Sequence, residues 1–228
     1  MRHLKAIFFD LDDTLWDMEF VIPRAEQHLY EWFAQHYPRV AETYTPEGLH
    51  SLRHEIGVRH PELRHDLSRL RIKMLREVFS RSGYDEHPAG EAFEVFQEAR
   101  NRVTLFADVQ PVLAGLGKTH RLFALTNGNA SLKTIGISDW FEDCLTAREL
   151  GVAKPDTEFY RRALQAAGVV AAEALHVGDH PENDIQAAAA AGLTTLWLNR
   201  RRLEWSLPDC SPDHELPDLE RLPAMLLS

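Results

Sequence analysis

The four apolar residues Ala6 to Phe9 run without interruption and stop at Asp10. A short continuous apolar run of this kind predicts a strand buried on both faces. Comparable runs return in the second half of the chain at RLFALTN (121–127), DCLTA (143–147), ALHVGD (174–179) and TTLWLN (194–199). Between them the apolar period lengthens to that of a helix. DTEFYRRALQAAG has Asp156 as N-cap and Gly168 as stop, NDIQAAAAAG ends at Gly192 in the same way, and DVQPVLAGLG runs from near Asp108 to near Gly117. Strand and helix in alternation predict an α/β fold: a parallel sheet with helices on both faces and the strand over 6–10 in its middle.

Residues 17–104 break the alternation. RAEQHLYEWFAQHY sets Ala25, Leu29, Trp32 and Phe33 at helical spacing, and TPEGLHSLRHEIG carries Thr45 as N-cap with Pro46 at the first helical position. LRHDLSRLRIKMLREVFSRSG repeats Leu63, Leu67, Leu70, Met74 and Val78 ahead of Gly83, and PAGEAFEVFQEARNRV makes a fourth helix. A crossover between parallel strands needs only about a dozen residues, so an insert of this length is expected to form its own helical subdomain. The expected organisation is an α/β core of 1–16 and 105–228 and a helical insert of 17–104.

Charge and cysteine content narrow the setting. A formal net charge of −10 argues against a broad nucleic-acid surface, which wants an excess of cations. Cys144 and Cys210 have no metal-type spacing, and so few cysteines suit a reducing compartment better than a disulfide scaffold. No signal peptide is visible, nor the roughly 20 apolar residues of a membrane span. The expected setting is the cytoplasm, with neither nucleic acid nor membrane as partner; oligomeric state is not legible.

The polar residues at the C-terminal ends of the strands carry the chemistry, because ligands of an open parallel sheet bind there. The first strand ends in Asp10, Asp12, Asp13 and Thr14, the next in Thr126, Asn127 and Gly128; AKPD supplies Lys154, and GDHPEND supplies Asp179 and Asp184. Carboxylates this close repel, and burying them is costly without a compensating cation. A Mg²⁺ site built for phosphate answers that need, since Mg²⁺ takes one or two carboxylates, waters and phosphate oxygens. On this reading Asp10 and Asp179 are carboxylate ligands and Asp12 lends its backbone carbonyl. A free oxygen of Asp10 is the nucleophile of an aspartyl-phosphate intermediate, and Asp12 exchanges protons with the leaving group and the attacking water. Thr126 and Asn127 donate to the phosphoryl oxygens, and Lys154 neutralises charge. The substrate is then a small-molecule phosphate ester.

DLDDT, TNG, KP and GDxxxxD, in this order over residues 10–184, resemble the four motifs of the haloacid dehalogenase superfamily. The helical insert resembles the cap of its type I phosphatases, which closes over the substrate of a Rossmann-like core. The resemblance implies the roles given above, a four-helix type of cap, and a supporting part for Asp184 and Thr14. It also places Asp where the family often has Gly, at residue 13. FDLDDTLWD, LHSLRHEIGVRHPELRHDLSRLRIKML, ALTNGNA and IGISDWFEDCLTARELGVAKPD further resemble bacterial phosphatases of flavin mononucleotide (FMN) and of 5-amino-6-(5-phospho-D-ribitylamino)uracil. This implies a substrate from riboflavin metabolism, with nucleotides and sugar phosphates as the alternatives.

Competing readings are weaker. Halide leaves without a proton and needs no Mg²⁺, so a 2-haloacid dehalogenase leaves Asp12 and Asp179 unexplained. A receiver domain would not carry its phosphorylated Asp after the first strand of a chain with a large insert, and a non-catalytic binding protein would be expected to have lost Asp10 or Asp12. His50 and His54, four apart on a helix and followed by His60 and His65, are better read as a solvated face than as a metal site. Trp32, Phe33, Phe93 and Phe96 read as core before they read as a flavin platform. Arg100 and Arg102 are as readily surface cations as substrate contacts, and Trp16 faces either the substrate or the insert.

Overall fold

The computed structural model describes residues 3–227. Six parallel strands form one sheet: β1 (Ala6–Phe9), β2 (Arg121–Thr126), β3 (Asp143–Thr146), β4 (Ala174–Gly178), β5 (Thr194–Leu198) and β6 (His214–Leu216), in the order β3-β2-β1-β4-β5-β6. β1 is buried along its whole length between β2 and β4, with Phe8 opposite Phe123 and Phe9 opposite Val177. Its side chains alternate between the faces: Phe8 stacks on Phe123 at 5.1 Å, while Phe9 meets the edge of Phe141 at 6.4 Å. The strand expected over 6–10 ends at Phe9, although the Asp10 N–H still donates to the Val177 carbonyl at 2.9 Å. β6 was not expected, because three residues at a sheet edge are too few to set an alternation. All six strands point the same way, so their C-terminal ends share one edge.

The chain divides into two compact units: 1–17 with 104–128 and 132–228, and 18–103 with 129–131. The second unit holds α1 (Val21–His36), α2 (Pro38–Thr43), α3 (Pro46–Arg59), α4 (Leu67–Arg81) and α5 (Ala89–Arg100). It therefore has five helices among the described residues, where four were expected; α2 is a short helix opened by Pro38. Its core joins Ala25, Leu29 and Phe33 of α1 to Leu52, Ile56, Met74, Val78, Phe79 and Phe96. Thr45 caps α3 by accepting from the Gly48 N–H at 3.1 Å. The stripe expected along α4 is only partly correct. Leu63 lies in a separate 3₁₀ turn, Leu67 is exposed, and the buried positions in the first turns are Ser68 and Arg71.

The sheet unit carries α6 (Val109–Leu116), α7 (Leu132–Ile135), α8 (Ala147–Leu150), α9 (Thr157–Ala167), α10 (Ala187–Ala190) and α11 (Leu222–Leu227). α9 begins at Asp156, which accepts from the Glu158 N–H at 2.9 Å, and stops at Gly168 with φ 64°. Its Phe159, Tyr160, Ala163 and Leu164 pack on the face that presents Phe8 and Leu125. The single helix expected at NDIQAAAAAG is divided: Pro181–Gln186 forms a π-type turn ahead of α10. The wider turn carries Asp184 inward, in keeping with the use of π-bulges at functional positions.

Candidate active site

Asp10, Asp12, Asp13, Thr126, Asn127, Lys154, Asp179 and Asp184 all line one pocket of about 190 Å³ at the C-terminal edge of the sheet. Thr14 lies beneath it, fully buried, with its hydroxyl 3.5 Å from Asp179 Oδ1. Carboxylate oxygens of Asp10, Asp179 and Asp184 come within 4.8 Å of one another. The ammonium of Lys154, itself buried, donates to Asp10 Oδ1 at 2.6 Å and to Asp184 Oδ1 at 2.7 Å.

The electrostatics follow from this crowding. Burial raises the Asp10 carboxyl well above the usual range; Lys154 opposes the rise, while Asp184 and Asp179 add to it. Burial, then Asp184 and Asp13, push Asp179 up to about 7. Burial alone would lower the Lys154 ammonium, but Asp10 and Asp184 outweigh it and hold the group above its ordinary value. Burial opposes ionisation of Asp184 too, and Lys154 and His176 overcome it, keeping this carboxyl well below the usual range. When all ionised, Asp10, Asp179 and Asp184 outnumber the one ammonium among them, and a divalent cation would offset that excess. The donor set is all oxygen, as that ion requires. The residues present therefore fit a divalent cation.

The side chain of Asn127 is committed to the main chain of Lys154. Its side-chain amide donates to the Lys154 carbonyl at 3.0 Å, and its Oδ1 accepts from the Lys154 N–H at 2.9 Å. It thus ties the end of β2 to the loop that carries the lysine. Thr126 Oγ1 accepts from the Gly128 N–H at 2.8 Å, which shapes the turn after β2.

Several neighbours were not singled out from the sequence. His176 Nε2 lies 3.1 Å from both Asp184 Oδ1 and the Tyr160 hydroxyl, and Tyr160 donates to the Asn183 carbonyl at 2.8 Å. The only available sign of His176 was one titratable residue in the otherwise apolar ALHVG. Trp197 donates from its indole to the Asp179 carbonyl at 2.7 Å, and Arg200 to the Thr14 carbonyl at 2.9 Å. Trp16, which the sequence did single out as facing either the substrate or the insert, is fully buried, and its indole N–H donates to Asp12 Oδ1 at 2.9 Å.

The backbone accounts for residue 13, where the family often has Gly. Its φ of 61° is the left-handed conformation that glycine adopts freely and that Asp tolerates better than most residues. Its carboxylate also meets Arg201 at 3.0 Å.

Gly178 explains the Gly of GDHPEND. A Cβ there would lie 2.4 Å from Asp184 Cγ, so only glycine admits the carboxyl that holds Lys154. Gly178→Ala is expected to cost about 1–3 kcal/mol in chemical denaturation, the usual range for overpacking, and to lower turnover with it. Wild-type stability and turnover in this variant would contradict that account.

A family model described as haloacid dehalogenase-like hydrolase matches residues 4–192. The chain belongs to this family. Among the relatives of this hydrolase is the 5-amino-6-(5-phospho-D-ribitylamino)uracil phosphatase of Escherichia coli, 33% identical over 202 residues, 87% of this chain and 84% of that one. Another is the glyceraldehyde 3-phosphate phosphatase of Methanopyrus kandleri, 29% identical over 231 residues, 95% and 92% of the two chains. A solved structure described as a 2-haloacid dehalogenase from Pseudomonas syringae matches with TM-score 0.92 and 38% identity, covering 98% of each chain. The named phosphatases support a phosphatase here. No helix of the described residues is long and apolar enough to cross a membrane.

The helical unit, taken by itself, has no comparable cluster of acids. His50 and His54 are exposed and join no group of metal-competent side chains among the described residues. Phe33 and Phe96 are buried in its core, with Trp32 and Phe93 packed against them. Arg100 is buried, whereas Arg102 is exposed and pairs with Glu98.

Proposed function

We propose that this hydrolase removes phosphate from small phosphate monoesters through an aspartyl-phosphate on Asp10. The observation that carries the reading is the buried Lys154 shared between Asp10 and Asp184, with Asp179 alongside. In the first step an Asp10 carboxylate oxygen attacks phosphorus while the bond to the leaving oxygen breaks. Asp12 passes its proton to that oxygen. In the second step Asp12 takes a proton from water, whose oxygen attacks phosphorus and frees Asp10 and inorganic phosphate. Lys154 holds Asp10 in place and offsets charge on the phosphoryl oxygens. Thr126 contributes its hydroxyl; Asn127, its amide committed to Lys154, contributes its main-chain N–H. Asp10 and Asp179, with the Asp12 carbonyl, would hold Mg²⁺, with Asp184 in support. When bound, the ion neutralises negative charge at the phosphoryl group.

For the substrate, the reading is a riboflavin-pathway ester, 5-amino-6-(5-phospho-D-ribitylamino)uracil or FMN. The likeness to the Escherichia coli enzyme supports it. The helical unit by itself holds a cavity of about 350 Å³, where Ile22, Leu67 and Leu70 accompany Arg53, Arg71 and Asn129. A volume of this size suits a ring-bearing ligand, and the polar groups suit one with carbonyl oxygens on its edge. Arg71 is buried with its guanidinium 3.5 Å above the Phe96 ring, and Glu26, at 3.4 Å, offsets its charge. Burial lowers this guanidinium to about 10.

The Pseudomonas syringae structure favours a second reading, displacement of halide by Asp10. That reaction uses neither a proton donor at Asp12 nor a metal ligand at Asp179. One experiment separates the readings: steady-state kinetics on the two flavin-pathway esters, glyceraldehyde 3-phosphate, pyrimidine nucleotides and a 2-haloacid, with Mg²⁺ supplied or chelated. The expected result is Mg²⁺-dependent phosphate release with the highest kcat/KM on a flavin-pathway ester and no halide release. Higher kcat/KM on the sugar phosphate or nucleotides removes the flavin assignment, and halide release without phosphate release removes the phosphatase.

A further inference from the structure

Trp16 has no part in the chemistry above, yet its indole N–H points at the proposed acid. It donates to Asp12 Oδ1 at 2.9 Å from a side chain with no exposed surface. The main chain around it is also fixed: residue 16 forms β-bridges with Asp12 and with Leu105, and the Phe106 N–H donates to the Leu15 carbonyl at 3.0 Å. An indole N–H is a donor only. The carboxyl oxygen facing it is therefore the acceptor, and because the carbonyl oxygen of a protonated carboxyl accepts better than its hydroxyl oxygen, a proton on Asp12 is favoured on Oδ2.

We infer that Trp16 is a positioning residue for Asp12, holding Oδ1 so that Oδ2 carries the proton delivered to the leaving oxygen. The inference rests on the phosphatase reading. As the phosphorus–oxygen bond breaks, the electron pair stays on the leaving oxygen, and the Oδ2 proton joins it. The resulting Asp12 carboxylate keeps its indole contact and accepts the proton of the attacking water. Loss of the indole N–H removes one fixed donor to Oδ1 and weakens the preference for a proton on Oδ2.

The test uses leaving groups of different basicity. An alkyl phosphate such as FMN needs a proton on its departing alkoxide; p-nitrophenyl phosphate releases a stable phenolate that does not. Trp16→Phe is expected to lower kcat/KM, which reports the leaving-group step and not the water step common to both esters, about tenfold on the alkyl ester. That is part of the roughly 10²–10⁴-fold a positioned acid supplies. The loss on p-nitrophenyl phosphate is expected to stay within about twofold. Asp12→Asn should show the same selectivity more strongly. The ratio of the two activities does not depend on how much of a variant is folded. Replacement of Trp16 by 3-benzothienylalanine, which keeps the ring shape and puts sulfur in place of N–H, must reproduce the selective loss. Equal losses on both esters, or no loss with the benzothienyl side chain, overturn the inference. Failure of the wild-type protein to release phosphate from either ester instead overturns the reading beneath it.

Discussion

Asp10→Asn abolishes phosphate release while leaving the fold intact. The expected fall in kcat is on the order of 10⁴–10⁶, the scale on which loss of a covalent nucleophile is felt in other hydrolases. That corresponds to about 5–8 kcal/mol of transition-state stabilisation. An amide keeps the shape of the carboxyl, and its oxygen still accepts from Lys154 at the position Asp10 Oδ1 now occupies. It cannot form the acyl phosphate. Stability is expected to hold or rise, because one of three crowded negative charges is removed. Asp10 itself is a group that burial and its acidic neighbours push toward neutrality. The measurements are single-turnover phosphate release and thermal unfolding, on wild type and variant side by side. Near-full turnover in the variant would exclude Asp10 as nucleophile, and an unfolded variant would show that its charge is needed for structure.

Legibility differed between the parts of the site for physical reasons. Apolar runs followed by acids, as at Ala6–Asp10, announce both a central strand and its charged end. Lys154, Asp179 and Asp184 were found by their order along the chain, since each alone is an ordinary surface pattern. His176 and Tyr160 were missed because they work from behind Asp184. A histidine inside a strand and a tyrosine on the inner face of α9 look like core residues, and both are fully buried. The π-type turn at Pro181–Gln186 was missed because its composition favours a plain helix. What widens it is a set of specific bonds: His180 N–H donates to Asp184 Oδ2 at 3.0 Å, and His180 Nδ1 accepts from the Glu182 and Asn183 N–H groups. In α4, apolar periodicity assigned Leu67 inward, whereas the burial falls on Ser68 and Arg71. Ser68 accepts from the Asn129 amide at 3.2 Å and Arg71 pairs with Glu26, so the inward face there is set by polar contacts that periodicity does not detect.

Lys154→Met removes the one ammonium from this cluster, and it should cost both stability and turnover. Lys154 is buried and bonded to two carboxylates that are themselves buried. Methionine fills much of the same volume, so the cavity term is small and the charge term dominates. Breaking a buried ion pair from one side typically costs about 3–5 kcal/mol, since the partner is left uncompensated. Here two partners are left, but Asp184 keeps His176 at 3.1 Å and the His180 N–H at 3.0 Å. The cost is therefore expected at the lower end of that range, read as a fall in denaturation midpoint. Turnover falls further than stability, because Asp10 loses the group that orients it and the phosphoryl oxygens lose a cation. Mg²⁺ provides an internal control. An ion that binds only the folded state stabilises it in proportion to RT ln(1 + [L]/Kd). With the ammonium gone, the remaining acids attract a divalent cation more strongly. Added Mg²⁺ should thus raise the Tm of Lys154→Met by more than it raises that of wild type. An equal shift in the two proteins would mean that the ion and the lysine do not share the same carboxylates. A variant as stable as wild type without Mg²⁺ would mean that Asp10 is neutral without needing the lysine.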